Sequence, residues 1–379
     1  MAGPCFRLQD FSCLGREPPA APSPAGTISP LPSAGTIRVA VVGVGAFGRN
    51  HARVYRELQQ QGKGVELAAI VDQDAARAAA VAAEVGAQPF SSLDALQGLV
   101  DAASVAVPTV AHLPVARALM EAGIDVLIEK PLAPSLPDAD ELIRLARAHG
   151  RVAQAGHLER FNPAVRATVP LVTQPMFFEV HRLSVFTPRS LDIDVVLDLM
   201  IHDLDVVLSF VRSPVKEVRA VGLPILTGKV DIANVRMEFD SGCVANFTAS
   251  RVSTERVRKL RFFQPHQYVS IDYTRQDVLV FAVGQGGPPQ GPLADMLAAS
   301  EDTHPSSADI KLVRPEVTRQ EPLHAELTAF LEAVRTRSQP LVPLEDGRRA
   351  LALALEILDA IREHGRRVNL DALRAAPRT

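Results

Sequence analysis

The stretch VAVVGVGAFGRNH, residues 39–51, decides the fold because an apolar run ends there in three regularly spaced glycines. The G-x-G-x-x-G spacing is typical of a turn between a strand and a helix that binds a dinucleotide. The first glycine allows the tight bend, the second admits a pyrophosphate close to the backbone, and the third lets helix and strand pack closely. The N–H groups at the helix start then bind the phosphates. The predicted cofactor residues in this turn are Gly43, Gly45, Ala46, Phe47 and Gly48.

An acidic residue, Asp72, ends the next predicted strand. At that position a carboxylate accepts hydrogen bonds from an adenosine ribose. Gln73 and Asp74 follow, so no arginine or lysine directly after Asp72 can neutralise a 2′-phosphate. NAD is therefore favoured over NADP. Two alternatives stay open: the glycines make a purely structural turn, and Asp72 caps the next helix.

Apolar strand-like runs alternate with helical runs over the first part of the chain, which predicts a doubly wound parallel sheet of the Rossmann type with helices on both faces. Strands are predicted at 37–43, 65–72, 102–108, 125–130 and 151–156, and helices near 46–60, 74–85, 110–123 and 137–149.

After about residue 156 the pattern changes to closely spaced strands, which predicts an α+β domain with a large, mostly antiparallel open sheet. Its helices are predicted at 160–169 and 194–212, and its strands at 175–185, 216–222, 230–239, 243–251, 257–264, 267–273 and 277–283, with a loop to about 309. The predicted division is a flexible Pro/Ala-rich tail at 1–36, a NAD-binding domain at 37–156, a substrate and oligomerisation domain at 157–320, and, at 321–379, helices packing back between the domains followed by a tail.

Composition excludes several classes of protein. A formal charge of −3 gives no electrostatic reason for binding nucleic acid or an anionic membrane. No run approaches the roughly 18 apolar residues of a membrane span. Cys5, Cys13 and Cys243 do not form a disulfide framework, which favours the reducing cytoplasm. No cysteine spacing or histidine pair indicates a metal site.

The segment IEKPLAPS, residues 128–135, places a charged pair where an apolar strand ends. Ligands of such sheets bind at the carboxyl ends of strands. This topology puts Pro108, Thr109, Glu129 and Lys130 on the cofactor side. A solvated surface lysine is an equally open interpretation of Lys130.

The segment DVVLDLMIHDLDVVLSF, residues 194–210, reads as a buried helix because it is apolar almost all round. Asp194, Asp198, His202 and Asp205 fall at i, i+4, i+8 and i+11, which is one face of an α-helix. Buried carboxylates must be paired or face a wet cavity, so the alternatives are an active site and a structural polar network. Asp203 lies off this stripe and reads as solvated or capping.

Alcohol oxidation needs a hydride acceptor and a base for the hydroxyl proton. We predict that His202 is the base, since a histidine titrates near neutral pH. Asp198, one turn earlier, would fix the histidine tautomer. Lys130 would stabilise the developing alkoxide.

With GVGAFG, VPTVAH, EKPLA and DLMIHDLD in this order, residues 37–365 resemble the Gfo/Idh/MocA family, the glucose–fructose oxidoreductase and inositol dehydrogenase group. The resemblance implies a Rossmann domain followed by an open-sheet domain, and catalytic roles for Lys130, Asp198 and His202. It also implies that the peptide bond before Pro131 is often cis and that His112 lies near the nicotinamide end of the cofactor.

The segments GHLERFNPAVRA, PRSLDIDVVLDLMIHDLDVVLS and KVDIANVRMEF…CVANFTASRVS carry a narrower resemblance within the family, to bacterial dehydrogenases of sugar nucleotides whose products a transaminase converts for lipid A. The substrate contacts implied there are Arg160, Asn162, Arg182 and Arg251, each of which is otherwise a surface or ion-pair residue. The resemblance further implies a homodimer or homotetramer. An oxidoreductive glycosidase with retained NAD and a catalytically silent NAD sensor are the competing functions.

Overall fold

The computed structural model describes residues 35–187, 193–283 and 310–369. The predicted tail up to residue 34 and the predicted loop at 284–309 lie outside this part of the chain. Among the described residues, no helix is long and apolar enough to cross a membrane.

The first domain is built on a six-stranded parallel sheet in the order β3-β2-β1-β4-β5-β6, which confirms the predicted fold class. Its elements are β1 (Ile37–Val42), α1 (Ala46–Gln60), β2 (Val65–Val71), α2 (Ala75–Val85), β3 (Gln88–Phe90), β4 (Ala102–Val105), α3 (His112–Glu121), β5 (Asp125–Glu129), α4 (Leu136–Ala148) and β6 (Ala153–Gly156). Sequence reasoning missed β3, a short edge strand without an apolar pattern that contains Pro89.

The second domain contains an eight-stranded sheet in the order β14-β13-β12-β11-β7-β10-β9-β8. All neighbours are antiparallel except β7 and β10, as predicted for a mostly antiparallel sheet. Its strands are β7 (Phe177–Leu183), β8 (Val215–Leu223), β9 (Ile232–Phe239), β10 (Val244–Ser250), β11 (Val257–Gln264), β12 (Gln267–Asp272), β13 (Asp277–Val283) and β14 (Ile310–Val313). The short helix α5 (Pro163–Thr168) precedes this sheet.

The predicted helix at 194–212 is wrong in its first half. A π turn, Val196–Met200, precedes the α-helix α6, Ile201–Phe210. A π turn closes i→i+5 hydrogen bonds, so its side chains advance by a smaller angle than in an α-helix. The expected single polar stripe is therefore broken between Asp198 and His202.

Two C-terminal helices join the domains. Helix α7 (Pro322–Thr336) buries Leu327 and Phe330 in the core around α1 and β1. Helix α8 (Leu344–Arg367) contributes Leu351 to the first domain's core and Ile357 to the core under the eight-stranded sheet. One continuous helix is thus buried on both sides, and it contacts both β6 and the π turn.

Candidate active site

The glycine turn leaves open space on the side where a phosphate would approach. Gly43 has φ +85°, and a Cβ there would lie 2.7 Å from Ala106 O. At Gly48 a Cβ would lie 1.8 Å from Gly43 O, so both positions require glycine. By contrast, nothing lies within 4 Å of a Cβ added at Gly45, and Gly45, Ala46 and Phe47 are exposed. The turn therefore fits a dinucleotide pyrophosphate bound at the start of α1.

Asp72 lies at the carboxyl end of β2 and organises this turn. Its Oδ2 accepts a hydrogen bond from Val44 N at 2.9 Å, and its Oδ1 accepts one from Asp74 N at 3.0 Å. Arg77 donates to both oxygens, at 3.0 and 2.7 Å. The Arg77 guanidinium, with these backbone donors, lowers the pKa of Asp72 to about 2.

Two readings of Asp72 are corrected by these contacts. The cap of α2 is Asp74, which accepts from Arg77 N, so the capping alternative for Asp72 is wrong. The inference that no basic residue after Asp72 can neutralise a 2′-phosphate is also wrong, because Arg77 reaches back from the first turn of α2 to the Asp72 carboxylate.

Lys130 is aimed at the π turn, so the surface-lysine interpretation is wrong. It follows β5, and the Lys130–Pro131 peptide bond is cis. Its Nζ donates to Asp198 O at 2.7 Å and lies 3.5 Å from Asp198 Oδ1. The two side chains are only partly exposed, 18% for Lys130 and 24% for Asp198. The structure thus brings the lysine and the aspartate of the predicted triad together.

Glu129 is held by a residue that sequence reasoning did not select. Its Oε1 lies 3.0 Å from His51 Nε2, and its Oε2 accepts from Lys130 N at 3.2 Å. His51 is fully buried and tilted against Phe47 at 5.5 Å between ring centroids. The His51–Glu129 pair connects the glycine turn to the strand end that bears the lysine. The sequence signal that could have identified His51 is its position early in α1, just after the glycine turn.

His112 contacts protein backbone on both sides of its ring. Its Nδ1 lies 3.2 Å from Leu132 O and its Nε2 lies 3.0 Å from Val107 O. Burial lowers the pKa of His112. These contacts assign it to holding the loop after Pro131 beside the end of β4, where Pro108 and Thr109 begin a short 3₁₀ turn. This replaces the expected direct cofactor contact of His112.

His202 is half-buried, with a ring environment that favours the neutral base. Burial lowers the pKa of His202 well below its usual value, and the positive charges of Lys130 and Arg182 lower it further. Its Nδ1 is buried and has no hydrogen-bond partner among the described residues. Asp198 bonds Lys130 rather than His202, so the expectation that Asp198 fixes the histidine tautomer is wrong. The π turn between them accounts for the difference.

The other aspartates of the predicted stripe point to different places. Asp194 accepts from Val230 N at 2.8 Å, and Asp205 lies 3.4 Å from an Arg160 nitrogen. Asp203, expected to be solvated or capping, is 2% exposed and accepts from Arg182 at 2.6 and 2.9 Å. The reading of a single stripe facing one cavity is thus wrong, and much of the set is a structural network.

Arg182 and Asn162 are occupied within the protein. Arg182 also donates to Glu159 at 3.0 Å and lies 5.1 Å from the centre of the Tyr273 ring. Asn162 caps α5 by accepting from Ala164 N. It donates to Glu159 and to Tyr273 O, both at 3.1 Å. Both side chains are nearly fully buried, so these contacts replace their expected direct substrate contacts with positioning roles.

Arg251 and Arg160 lie on different sides of the π turn and α6. Arg251 lies 3.9 Å from Asp198 Oδ2 and donates to Ile193 O at 2.5 Å, next to the predicted catalytic aspartate. Arg160 instead lies 3.4 Å from both Asp205 and Asp346 and lines a cleft with residues of α8. The expected substrate contact of Arg160 does not fit this location. Among the described residues no three His, Cys, Asp or Glu side chains are grouped to hold a metal.

Known proteins resemble this chain in sequence and in fold. Residues 37–157 match the model of an oxidoreductase family with an NAD-binding Rossmann fold, and residues 175–266 match the GFO/IDH/MocA C-terminal domain. UDP-N-acetylglucosamine 3-dehydrogenase of Acidithiobacillus ferrooxidans is 37% identical over 326 residues, 86% of this chain and 97% of that protein. Its solved structure superposes with a TM-score of 0.77 over the same fractions of the two chains at 36% identity. Inositol 2-dehydrogenase of Corynebacterium glutamicum is 32% identical over 185 residues, 45% of this chain and 53% of that protein.

Proposed function

The chain belongs to the Gfo/Idh/MocA oxidoreductase family, and from that premise we propose that it oxidises the 3-hydroxyl of UDP-N-acetylglucosamine to a ketone. It is an NAD-dependent dehydrogenase acting on a sugar hydroxyl. The observation that carries the proposal is the contact of Lys130 Nζ with Asp198 beside the neutral His202.

The described side chains divide the chemistry between them. NAD, when bound, supplies the hydride acceptor. His202 takes the hydroxyl proton, which a neutral imidazole in reach of the substrate can do. Lys130, whose side chain is 18% exposed, would hold a positive charge near the developing oxyanion. The low pKa of His202 makes it a weaker base but also lets it release the proton once the ketone has formed.

Arg251 is our candidate contact for the substrate. It is only 5% exposed but lies 3.9 Å from Asp198, so its guanidinium is a positive group placed to meet an anionic part of a sugar nucleotide there. The likeness to the UDP-N-acetylglucosamine enzyme extends over almost the whole of that protein, whereas the likeness to the inositol enzyme covers about half of it. This difference in coverage supports a sugar nucleotide over inositol as the substrate.

Incubation of the purified protein with UDP-N-acetylglucosamine and NAD tests the proposal. We expect NADH to accumulate and mass spectrometry to show a sugar nucleotide lighter by two hydrogens. Lys130→Met is the matched control, since it keeps most of the apolar stem of the side chain and removes the charge. Turnover of myo-inositol but not of the sugar nucleotide would overturn the substrate, and NAD binding without turnover of either would favour a silent sensor. Release of a sugar without net NADH would indicate an oxidoreductive glycosidase.

We also propose that the reaction occurs in the cytoplasm and precedes a transamination in lipid A precursor synthesis. Its support is the sequence resemblance and the chemistry of the product, because a 3-ketone is what a transaminase needs to install an amine. Adding a transaminase and an amino donor should convert the product to the amine and drive the oxidation forward.

The outer face of the large sheet supports a homodimer or homotetramer. A row of aromatic rings crosses β7, β11, β12 and β13, with centroid distances of 5.7, 4.9 and 5.6 Å. The row is Phe177, Phe263, Tyr268 and Phe281. Phe263→Lys should reduce the mass measured by light scattering, whereas Leu226→Lys, at an exposed position off the strands, should not. An unchanged mass in the first variant would remove this face as the interface.

A further inference from the structure

We propose that Arg77 sets how strongly the cofactor site discriminates between NAD and NADP, by weakening the binding of NAD and strengthening that of NADP. The proposal rests on NAD binding and not on the identity of the sugar. Failure of the sugar oxidation above therefore leaves it standing, and its own failure leaves the sugar oxidation standing.

Asp72 has no acceptor capacity left for a ribose. A carboxylate offers about four lone-pair sites. Val44 N and Arg77 Nε bind Oδ2, and Asp74 N and Arg77 Nη2 bind Oδ1. A ribose diol can hydrogen-bond this carboxylate only if one of these donors leaves.

Arg77 is the donor that can leave. Val44 N and Asp74 N belong to the backbone of the glycine turn and of the α2 cap, whereas Arg77 is a flexible side chain that is 43% exposed. Binding of NAD therefore requires the Arg77–Asp72 pair to open. That requirement weakens NAD binding by the free energy of a partly exposed ion pair.

Arg77 has the opposite effect on the binding of NADP, which carries a 2′-phosphate on its adenosine ribose. The Asp72 side chain is only 7% exposed and stays ionised. Without a cation beside it, this carboxylate would repel a phosphate on the adenosine ribose. A guanidinium that neutralises this carboxylate and can itself bind phosphate oxygens through two parallel donors removes the repulsion. The same residue thus acts against NAD and in favour of NADP.

Calorimetric titration of Arg77→Ala with NAD and with NADP, without sugar, tests the inference directly. We expect the Kd for NAD to fall by ~2- to 5-fold, as for release of an exposed ion pair. We expect the Kd for NADP to rise by ~10-fold or more, as for loss of a charge-assisted contact. Arg77→Lys should keep part of the NADP affinity, since it retains the charge without the two-donor geometry.

Arg144→Ala is the matched control, because Arg144 makes a similar two-donor contact with Glu141 on α4, outside the glycine turn. It should change neither Kd. A purely structural role for Arg77 predicts that both Kd values rise together in Arg77→Ala. That result, or two unchanged values, would overturn the proposal.

Discussion

The glycine turn at 43–48 and the π turn at Val196–Met200 are both irregular backbone segments on the ligand side of their domains, yet they are held in place differently. The glycine turn is fixed by steric contact, since side chains at Gly43 or Gly48 would overlap backbone atoms. The π turn is apolar except for Asp198, which pairs with Lys130, and Asp203, the partner of Arg182, lies in the α-helix that follows it. A steric requirement can be recognised in the sequence because it demands glycine. An ion pair between residues distant in sequence has no such local pattern.

The largest effect on stability should follow from breaking the charged network. Arg182→Met leaves Asp203 and Glu159 buried without their cation, and breaking such a buried pair costs about 3–5 kcal/mol. Denaturant unfolding measures this loss. Arg219→Met removes an exposed pair with Glu217 and should leave the melting temperature nearly unchanged.

Arg182→Met should also change the kinetics in a way that a loss of stability alone would not. The charge of Arg182 lowers the pKa of His202, so its removal should raise that pKa. The acid limb of the rate profile should then move to higher pH in the folded variant. An unshifted profile together with full stability would show that the network does not support the π turn.

Steric fixation of the glycine turn is tested by two alanines. Gly48→Ala places a Cβ 1.8 Å from Gly43 O, where only backbone can move, and should cost about 3 kcal/mol, at the upper end of typical overpacking. Gly45→Ala meets nothing within 4 Å and should leave stability unchanged while weakening NAD binding. Equal melting temperatures for both variants would contradict the comparison between the two turns.

A smaller, pH-dependent effect is expected at Glu326, on α7 between the domains. Its two carboxyl oxygens are buried without a partner among the described residues, and burial, with the nearby Glu129, raises its pKa well above the usual value. An acid with a raised pKa in the folded state binds more protons there than when unfolded. Stability therefore falls as pH rises above the unfolded pKa, by at most about 1.4 kcal/mol per pH unit.

Glu326→Gln removes that titration. The variant should be more stable than wild type at pH 8.5, and the difference should shrink towards pH 5, as followed by thermal unfolding at several pH values. A constant difference across this range would show that Glu326 is ionised in the folded protein.

The same contrast, between steric contacts and ion pairs, explains which features could be predicted from the sequence. The parallel sheet, the glycine turn, Asp72 and the ligand-side position of Lys130 could be predicted, since each depends on local pattern and strand order. The His51–Glu129 pair, the Arg182–Asp203 pair and the Arg77–Asp72 contact depend on which side chains meet after folding. The π turn was missed because its residues are compatible with an ordinary α-helix. The position of Asp198 relative to His202 was therefore predicted wrongly as well.

The central claim is that Lys130, Asp198 and His202 act at the chemical step rather than in folding. Turnover of UDP-N-acetylglucosamine with NAD by His202→Asn, measured beside its melting curve, tests it most directly. We expect turnover to fall ~10²- to 10⁴-fold, as for loss of a general base, while the melting temperature hardly changes. Near wild-type turnover in the folded variant, or a loss of activity that merely follows the folded fraction, would contradict it.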